Sequence, residues 1–234
     1  MITSTRLTDL SSIDFTEGCV IPIDKDLNWT SFDVVNKIRN TIPVRKVGHA
    51  GTLDPLASGL VLLCTGKYTK KINELMGQDK EYEGSLVLGK TTASVDLETP
   101  LEDGGDYNDI TDNDIQEAVK TFIGKIAQVP PIYSAIKVDG ERAYKKARKN
   151  EKPKLEAREV RIDEFSITKI NLPQLHFKLI CSKGTYVRSL VRDMGDLLGC
   201  GAYLESLRRT KIGDYNVMDA WTVGEFVNSY RTFQ

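Results

Sequence analysis

Histidine is scarce in this chain of 234 residues. There are two, His49 and His176, and neither sits in a group of Cys, Asp or Glu spaced as metal ligands. A zinc site is therefore not expected. The four cysteines, Cys19, Cys64, Cys181 and Cys200, are scattered without paired spacing. That pattern predicts free, buried thiols in a reducing cytoplasm rather than a disulfide framework. No apolar run approaches the roughly 20 residues needed to span a bilayer, so no membrane contact is expected. The start of the chain, residues 1–17, is polar and carries acids. It lacks a basic region followed by an apolar block and reads as a short tail, not a signal peptide. Also missing are GxGxxG, the P-loop GxxxxGK[ST], GxSxG and HExxH. Nucleotide cofactors and serine-hydrolase chemistry lose their sequence support with them.

What is present is a normal globular composition, 40% hydrophobic and 28% charged, enough to bury a full core. The formal net charge of −1 argues at first against a nucleic-acid partner. Its distribution argues the other way. Asp96 to Glu117 holds nine acids and no Lys or Arg, whereas Glu141 to Arg161 holds nine Lys/Arg against four Glu. A basic segment is what attraction to phosphates requires, although a solvated charged helix explains the same composition.

Periodicity predicts strands at Gly18–Asp24, Leu60–Thr65, Tyr82–Leu88, Val160–Ile170, Gln174–Cys181 and near Ala202–Leu207. Helices are predicted after a Ser31 N-cap with Phe32, Val35, Ile38 and Ile42 on one stripe, around Tyr68–Met76, and around Ile115–Ile123. Further helices are expected at Glu141–Lys149, Val187–Leu198 and Val223–Tyr230, with an extended stretch at Val129–Val138. Strands and helices alternate irregularly, which suggests an α+β chain with a mixed sheet and helices packed on it rather than a strict βαβ fold.

The most informative segment is Gly48–Gly59, GHAGTLDPLASG. It is a glycine-punctuated loop with one histidine and one aspartate, and it leads into a continuous apolar strand. Asp54 precedes Pro55, which biases it away from the helical region. A carboxylate on a turn beside a rigid strand is a plausible catalytic arrangement. A plain Asp-Pro turn without chemistry accounts for the dipeptide equally well.

The longer stretch GHAGTLDPLASGLVLLCTGKYTK resembles the signature of TruB-family pseudouridine synthases. Asp24-Lys25 followed by Thr30-Ser31, then KEYEGSLVL (Lys80–Leu88) and PPIYSAIKVDGERAYKKAR (Pro130–Arg148), resemble further motifs of that family, as do GTYVRSL (Gly184–Leu190) and GCGAYLESLRRT (Gly199–Thr210). The likeness runs from about Gly18 to Gly213.

The resemblance implies a mixed, mainly antiparallel sheet with flanking helices and a catalytic cleft across the sheet. It implies isomerisation of the tRNA T-loop uridine at position 55 to pseudouridine, by base flipping, C–N cleavage and C–C re-formation, with no cofactor. Asp54 takes the place of the nucleophile, Arg188 that of the arginine paired with it, and Tyr82 that of the tyrosine packed on the target base. Tyr186 and Leu207 match positions lining the uridine pocket, and His49 matches the histidine that holds the flipped loop. Lys25, Lys70, Lys137, Tyr144 and Arg209 match candidates for RNA backbone contacts. One local departure is Asp26, where the family usually has Pro; the expectation from it is a less rigidly fixed Lys25.

Many bacterial relatives carry a C-terminal RNA-binding PUA domain, and the residues beyond Gly213 are too few to form one. The expectation is thus a single catalytic domain over 18–234, acting on the tRNA T-stem-loop as a monomer without an obligate protein partner. Dyskerin-type enzymes in guide-RNA particles are the first alternative. A non-catalytic RNA-binding module is the second.

Overall fold

The computed structural model describes residues 10–149, 151 and 153–232. In chain order the elements are β1 (Val20–Lys25), α1 (Ser31–Arg39), β2 (Val47–His49), β3 (Ser58–Thr65), a 3-10 segment (Gly66–Lys71) leading into α2 (Ile72–Gly77), and β4 (Lys80–Leu88). There follow β5 (Lys90–Thr92), β6 (Leu101–Asp103), α3 (Asp112–Lys120), β7 (Gly124–Gln128), β8 (Lys137–Val138), β9 (Glu141–Arg142) and α4 (Ala143–Ala147). The chain ends with β10 (Arg158–Asn171), β11 (Gln174–Cys181), α5 (Val187–Leu197), β12 (Ala202–Ile212), β13 (Tyr215–Asn216), β14 (Trp221–Thr222) and α6 (Val223–Thr232). Two compact units result. One holds 10–82 and 207–232 of the described residues, the other 83–206.

The first unit is organised by β3. Its run LVLLC (60–64) is fully buried, as expected for a strand covered on both faces. β1 pairs antiparallel to β3 over six residues, from Val20↔Cys64 to Lys25↔Gly59, and β14 adds to β1 in parallel. β2 pairs antiparallel with β3 through His49↔Leu63, and β12 pairs in parallel at Arg208↔Ser58 and Arg209↔Gly59. Leu60, Leu62 and Cys64 pack with Val20, Ala50, Leu75, Ile212 and Val217 in one core cluster. The same strand that fills the core therefore fixes both ends of the Ala50–Ala57 loop.

In the second unit the strand order is β4-β11-β10-β7, with β10 antiparallel to both its neighbours. β11 alternates half-buried and buried residues, placing Leu175, Phe177, Leu179 and Cys181 inward. Phe122, Phe165 and Phe177 meet edge to face at centroid distances of 6.1 and 5.9 Å. Helix α5 buries Val187, Leu190, Val191 and Met194. Antiparallel pairings dominate both units, so the expected mixed, mainly antiparallel α+β architecture is what the chain adopts. All four cysteines are buried.

Several local expectations change. The cap of α1 is Thr30, whose side chain forms a capping box with Asp33, and Ser31 is the first helical residue. Phe32 is exposed, because the core face of α1 is Val34, Val35 and Ile38. The loop 46–59 contains β2, whose three residues extend the pairing along β3. The expected extended stretch Val129–Val138 is regular only at Lys137–Val138, and strand β7 lies just before it, at Gly124–Gln128. β7 was hidden because its side chains include Gly, Lys and Gln, with one β-branched residue. The acidic stretch from Asp96 to Glu117 holds regular structure. β5 and β6 pair within and beside it, and Asp96 is buried.

Candidate active site

Asp54 sits on the loop between β2 and β3, and nearly every residue around it is tied by its main chain. Ala50 N–H donates to Leu62 O at 2.8 Å. The Arg209 guanidinium donates from Nη2 to Gly51 O (3.2 Å), from Nη1 to Thr52 O (3.3 Å) and from Nε to Leu60 O (2.7 Å). Ser31 Oγ accepts from Leu53 N–H at 2.9 Å and donates back to Leu53 O at 3.2 Å. Asn28 N–H donates to Pro55 O at 2.8 Å, and Ala57 N–H to Asp54 O at 3.1 Å. Lys25 Nζ donates to Ala57 O at 2.5 Å, and also to Asp26 O (2.9 Å) and Trp29 O (2.8 Å). The carboxylate is thus carried by a loop whose shape is set before any substrate arrives, the arrangement that catalysis by positioning needs.

Two of these ties are buried cations. Lys25 is 0% and Arg209 1% exposed. Burial pushes the Lys25 ammonium down to about 8, opposed by the nearby Asp54 charge and assisted by Arg209. His49, half-buried at the end of β2, is likewise held below its ordinary value, first by burial, opposed by a hydrogen bond to the Gly51 backbone and assisted by the Arg209 charge.

Lys25 and Arg209 were expected to contact RNA backbone, and their placement corrects that. All three Lys25 protons are donated to carbonyls inside the fold, and Arg209 is enclosed, so neither offers a surface charge to phosphate. Arg208, which the sequence reading passed over, points the other way along β12. It pairs with both oxygens of Asp24 at 3.0 and 2.7 Å. Successive strand residues face opposite sides, so the Arg-Arg dipeptide divides into one enclosed and one half-exposed guanidinium. In the same unit Tyr82 is buried at 8%, Leu207 is half-buried and Lys70 is exposed.

In the second unit Arg188 occupies the first turn of α5 and is 5% exposed. Its Nη1 donates to Ser94 O at 3.1 Å and its Nη2 to Tyr133 O at 3.0 Å, while Nε lies 3.5 Å from an Asp96 carboxylate oxygen. Asp96, the first acid of the run Asp96 to Glu117, is a buried partner of this arginine. The signal that could have found it was its place at the start of the acid run, beside the small residues Ala93 and Ser94. Tyr186 immediately precedes α5 and is half-buried. Lys137 is exposed on β8, and Tyr144 lies in α4 with the Arg148 guanidinium 5.4 Å from its ring centroid. The basic stretch is partly neutralised in place, through Lys146–Asp139 (3.1 Å), Arg148–Glu98 (2.7 Å) and Lys149–Glu141 (2.9 Å). Such exposed pairs are weak and open readily to a competing phosphate.

Residues 39–187 match the model of the TruB family pseudouridylate synthase N-terminal domain, and 188–234 that of the tRNA pseudouridylate synthase B C-terminal domain. The chain belongs to the TruB family. The tRNA pseudouridine synthase B of Flavobacterium johnsoniae is 50% identical over 223 residues, covering 92% of this chain and 97% of that protein. That of Phocaeicola vulgatus is 48% identical over 220 residues, covering 92% and 94%. Among solved structures, a chain of a Cbf5-Nop10-Gar1 complex superposes with a TM-score of 0.74 at 27% identity, over 99% of this TruB chain. The match spans 60% of that longer protein. An H/ACA ribonucleoprotein bound to a substrate RNA containing 2'-deoxyuridine gives a TM-score of 0.70 at 25% identity, over 94% of this chain and 55% of that one.

Proposed function

We propose that this TruB-family chain isomerises the T-loop uridine at position 55 of tRNA to pseudouridine, with Asp54 as the nucleophile and Arg188 and Tyr82 completing the catalytic set. The observation that carries the reading is the loop around Asp54, tied at residues 50 to 53, 55 and 57, on the stretch whose sequence carries the TruB signature. In the reaction the N1–C1′ bond breaks, the uracil turns, and C5 joins C1′. C5 loses its proton and N1 gains one, so atoms and electrons balance without oxidant, reductant or cofactor. A carboxylate serves by attacking C1′, by adding to the ring, or by stabilising a glycal left by loss of the 2′ proton.

The uridine must leave its stack, which costs a few kcal/mol, and aromatic stacking returns about 1–3 kcal/mol per base. Tyr82 and Tyr186 suit that role, and His49, whose proton affinity burial lowers, suits holding the extruded loop by a hydrogen bond. Exposed Lys137, Arg142 and Lys145 suit phosphate contact. The partner is tRNA, and the near full-length match to relatives named tRNA pseudouridine synthase B favours tRNA over a guide-RNA particle.

The test uses tRNA tritiated at uridine C5, whose label is released when C5 joins C1′. Asp54→Asn and Asp54→Ala should retain tRNA binding in a filter assay and release no tritium at saturating enzyme. Measurable single-turnover release by either variant would remove Asp54 from the nucleophile's role.

A further inference from the structure

The end of β7 and the start of β10 hold an arrangement that the catalytic reading does not use. Arg158 and Gln128 are directly opposed in the antiparallel register of these strands, and both reach Tyr186. Gln128 is fully buried, and its amide forms a closed pair with the Tyr186 main chain. Oε1 accepts from Tyr186 N–H at 2.8 Å and Nε2 donates to Tyr186 O at 3.1 Å. Arg158 lies over the Tyr186 ring with its guanidinium carbon 4.5 Å from the centroid, and its Nη2 donates to Gly184 O.

Two neighbours make the arrangement rigid. Gly184 has φ +84°, a conformation glycine adopts freely, and a Cβ there would rest on the Arg158 guanidinium at 3.8 Å. Val129 O, one residue beyond Gln128, accepts from Ser189 Oγ at 2.8 Å and from Arg192 Nη2 at 3.0 Å. These bonds tie the opening turns of α5 to the same strand end. Arg158 Nε is meanwhile buried without a hydrogen-bond partner among the described residues. An unmatched buried donor is unfavourable, so simple stability does not account for this arginine.

We propose that Arg158 and Gln128 are positioning residues for Tyr186, which clamp its backbone and cover one ring face so that the target nucleotide meets only the other. The inference rests on the reading that Tyr186 touches the uridine, and it adds how the ring is aimed. A ring held in advance loses no rotamer freedom on binding, so the stacking energy goes to the extruded base. Gln128 fixes where the ring begins, Arg158 fixes its plane, and the cross-strand pairing fixes the two relative to each other.

The experiment is a double-mutant cycle read by single-turnover tritium release and by tRNA affinity against salt. Arg158→Ala should lower the rate at saturating enzyme about tenfold, equivalent to 1.4 kcal/mol. It should have little further effect in a Tyr186→Ala background, and it should leave the slope of log K against log salt unchanged. Arg158→Lys, which keeps the charge but not the plane, should restore only part of the rate. Should Arg158→Ala not fold, Arg158→Lys runs the same cycle. Equal losses in both backgrounds, with a slope reduced by about 0.7–0.9, would make Arg158 a phosphate contact and overturn the proposal. A Tyr186→Ala enzyme with the full wild-type rate would instead remove the reading beneath it, and the two failures are therefore distinct.

Discussion

Replacing Arg209 by Met tests the idea that the catalytic loop is shaped by enclosed cations rather than by RNA. The substitution keeps a long apolar stem and deletes three donors, leaving Gly51 O, Thr52 O and Leu60 O without them. Hydrogen bonds to charged groups contribute about 1.5–3 kcal/mol each. The three share one side chain and the loop can relax toward water, so the sum is not additive. A loss of about 3–5 kcal/mol is expected, the range for breaking a buried charged arrangement. Against a total of about 5–15 kcal/mol the variant should fold, with a clearly lower urea midpoint. The larger effect should be on rate, because misplacement of a reacting group by about 1 Å can cost about 10²-fold. Arg209→Lys should recover little, since one ammonium cannot reach three carbonyls that a planar fork serves.

The assays are urea unfolding, single-turnover tritium release at saturating enzyme, and tRNA affinity as a function of salt. Stability and rate should fall together while the salt slope stays as in the wild type, because an enclosed guanidinium releases no phosphate counterions. A rate within about threefold of wild type, or a slope smaller by about 0.9 with the rate at saturation intact, would refute the assignment of Arg209 to the loop.

Gly59→Ala should prevent stable folding, since Gly59 has φ +105° and a Cβ would lie 2.3 Å from Arg209 O; soluble protein with a wild-type urea midpoint would contradict this. Asp96→Asn should destabilise by about 3–5 kcal/mol by leaving Arg188 without its buried carboxylate, seen in urea melts, and should slow single turnover. Ser31→Ala should cost about 1–2 kcal/mol by removing the partner of both Leu53 backbone groups, with a drop in saturating rate but not in tRNA affinity. Lys25 gives a pH signature. Its folded value of about 8 lies below its unfolded 10.5, so between those limits the unfolded chain holds more protons and rising pH favours the fold. Relative to Lys25→Met, wild-type stability should therefore grow from pH 8 to pH 10, and a flat or falling difference in urea titrations would count against the buried ammonium.

The elements that were legible in the sequence are those whose burial follows a simple pattern. The run Leu60–Cys64 had to be an enclosed strand, and the stripe Val187, Leu190, Val191 and Met194 had to be the inner face of a helix. The catalytic loop was legible through its long ungapped likeness to a family. Boundaries and weak strands were not. β7 carries no apolar alternation worth reading, and it exists because β10 supplies a partner for each of its five residues. The stripe reading also misplaced Phe32, which meets solvent because α1 turns Val34, Val35 and Ile38 inward instead.

The larger misreading was of charge, and its cause is physical. Sequence patterns assign Lys, Arg and Asp to the surface because an isolated buried charge is very unfavourable. The rule fails where the main chain supplies the compensation, and backbone carbonyls leave no trace in a one-letter code. Lys25, Arg209 and Arg188 are each enclosed and donate among them to eight carbonyls. All but Leu60 O, which lies in β3, belong to irregular backbone without a ladder of its own, so there each cation takes the place of the strand or helix that would otherwise satisfy them. This explains why enclosed cations gather beside irregular backbone. It also explains why the loop around Asp54 holds its shape without being a helix or a strand. Charge that sequence alone assigns to contact with RNA is, in Lys25 and Arg209, the means by which the loop around Asp54 is held.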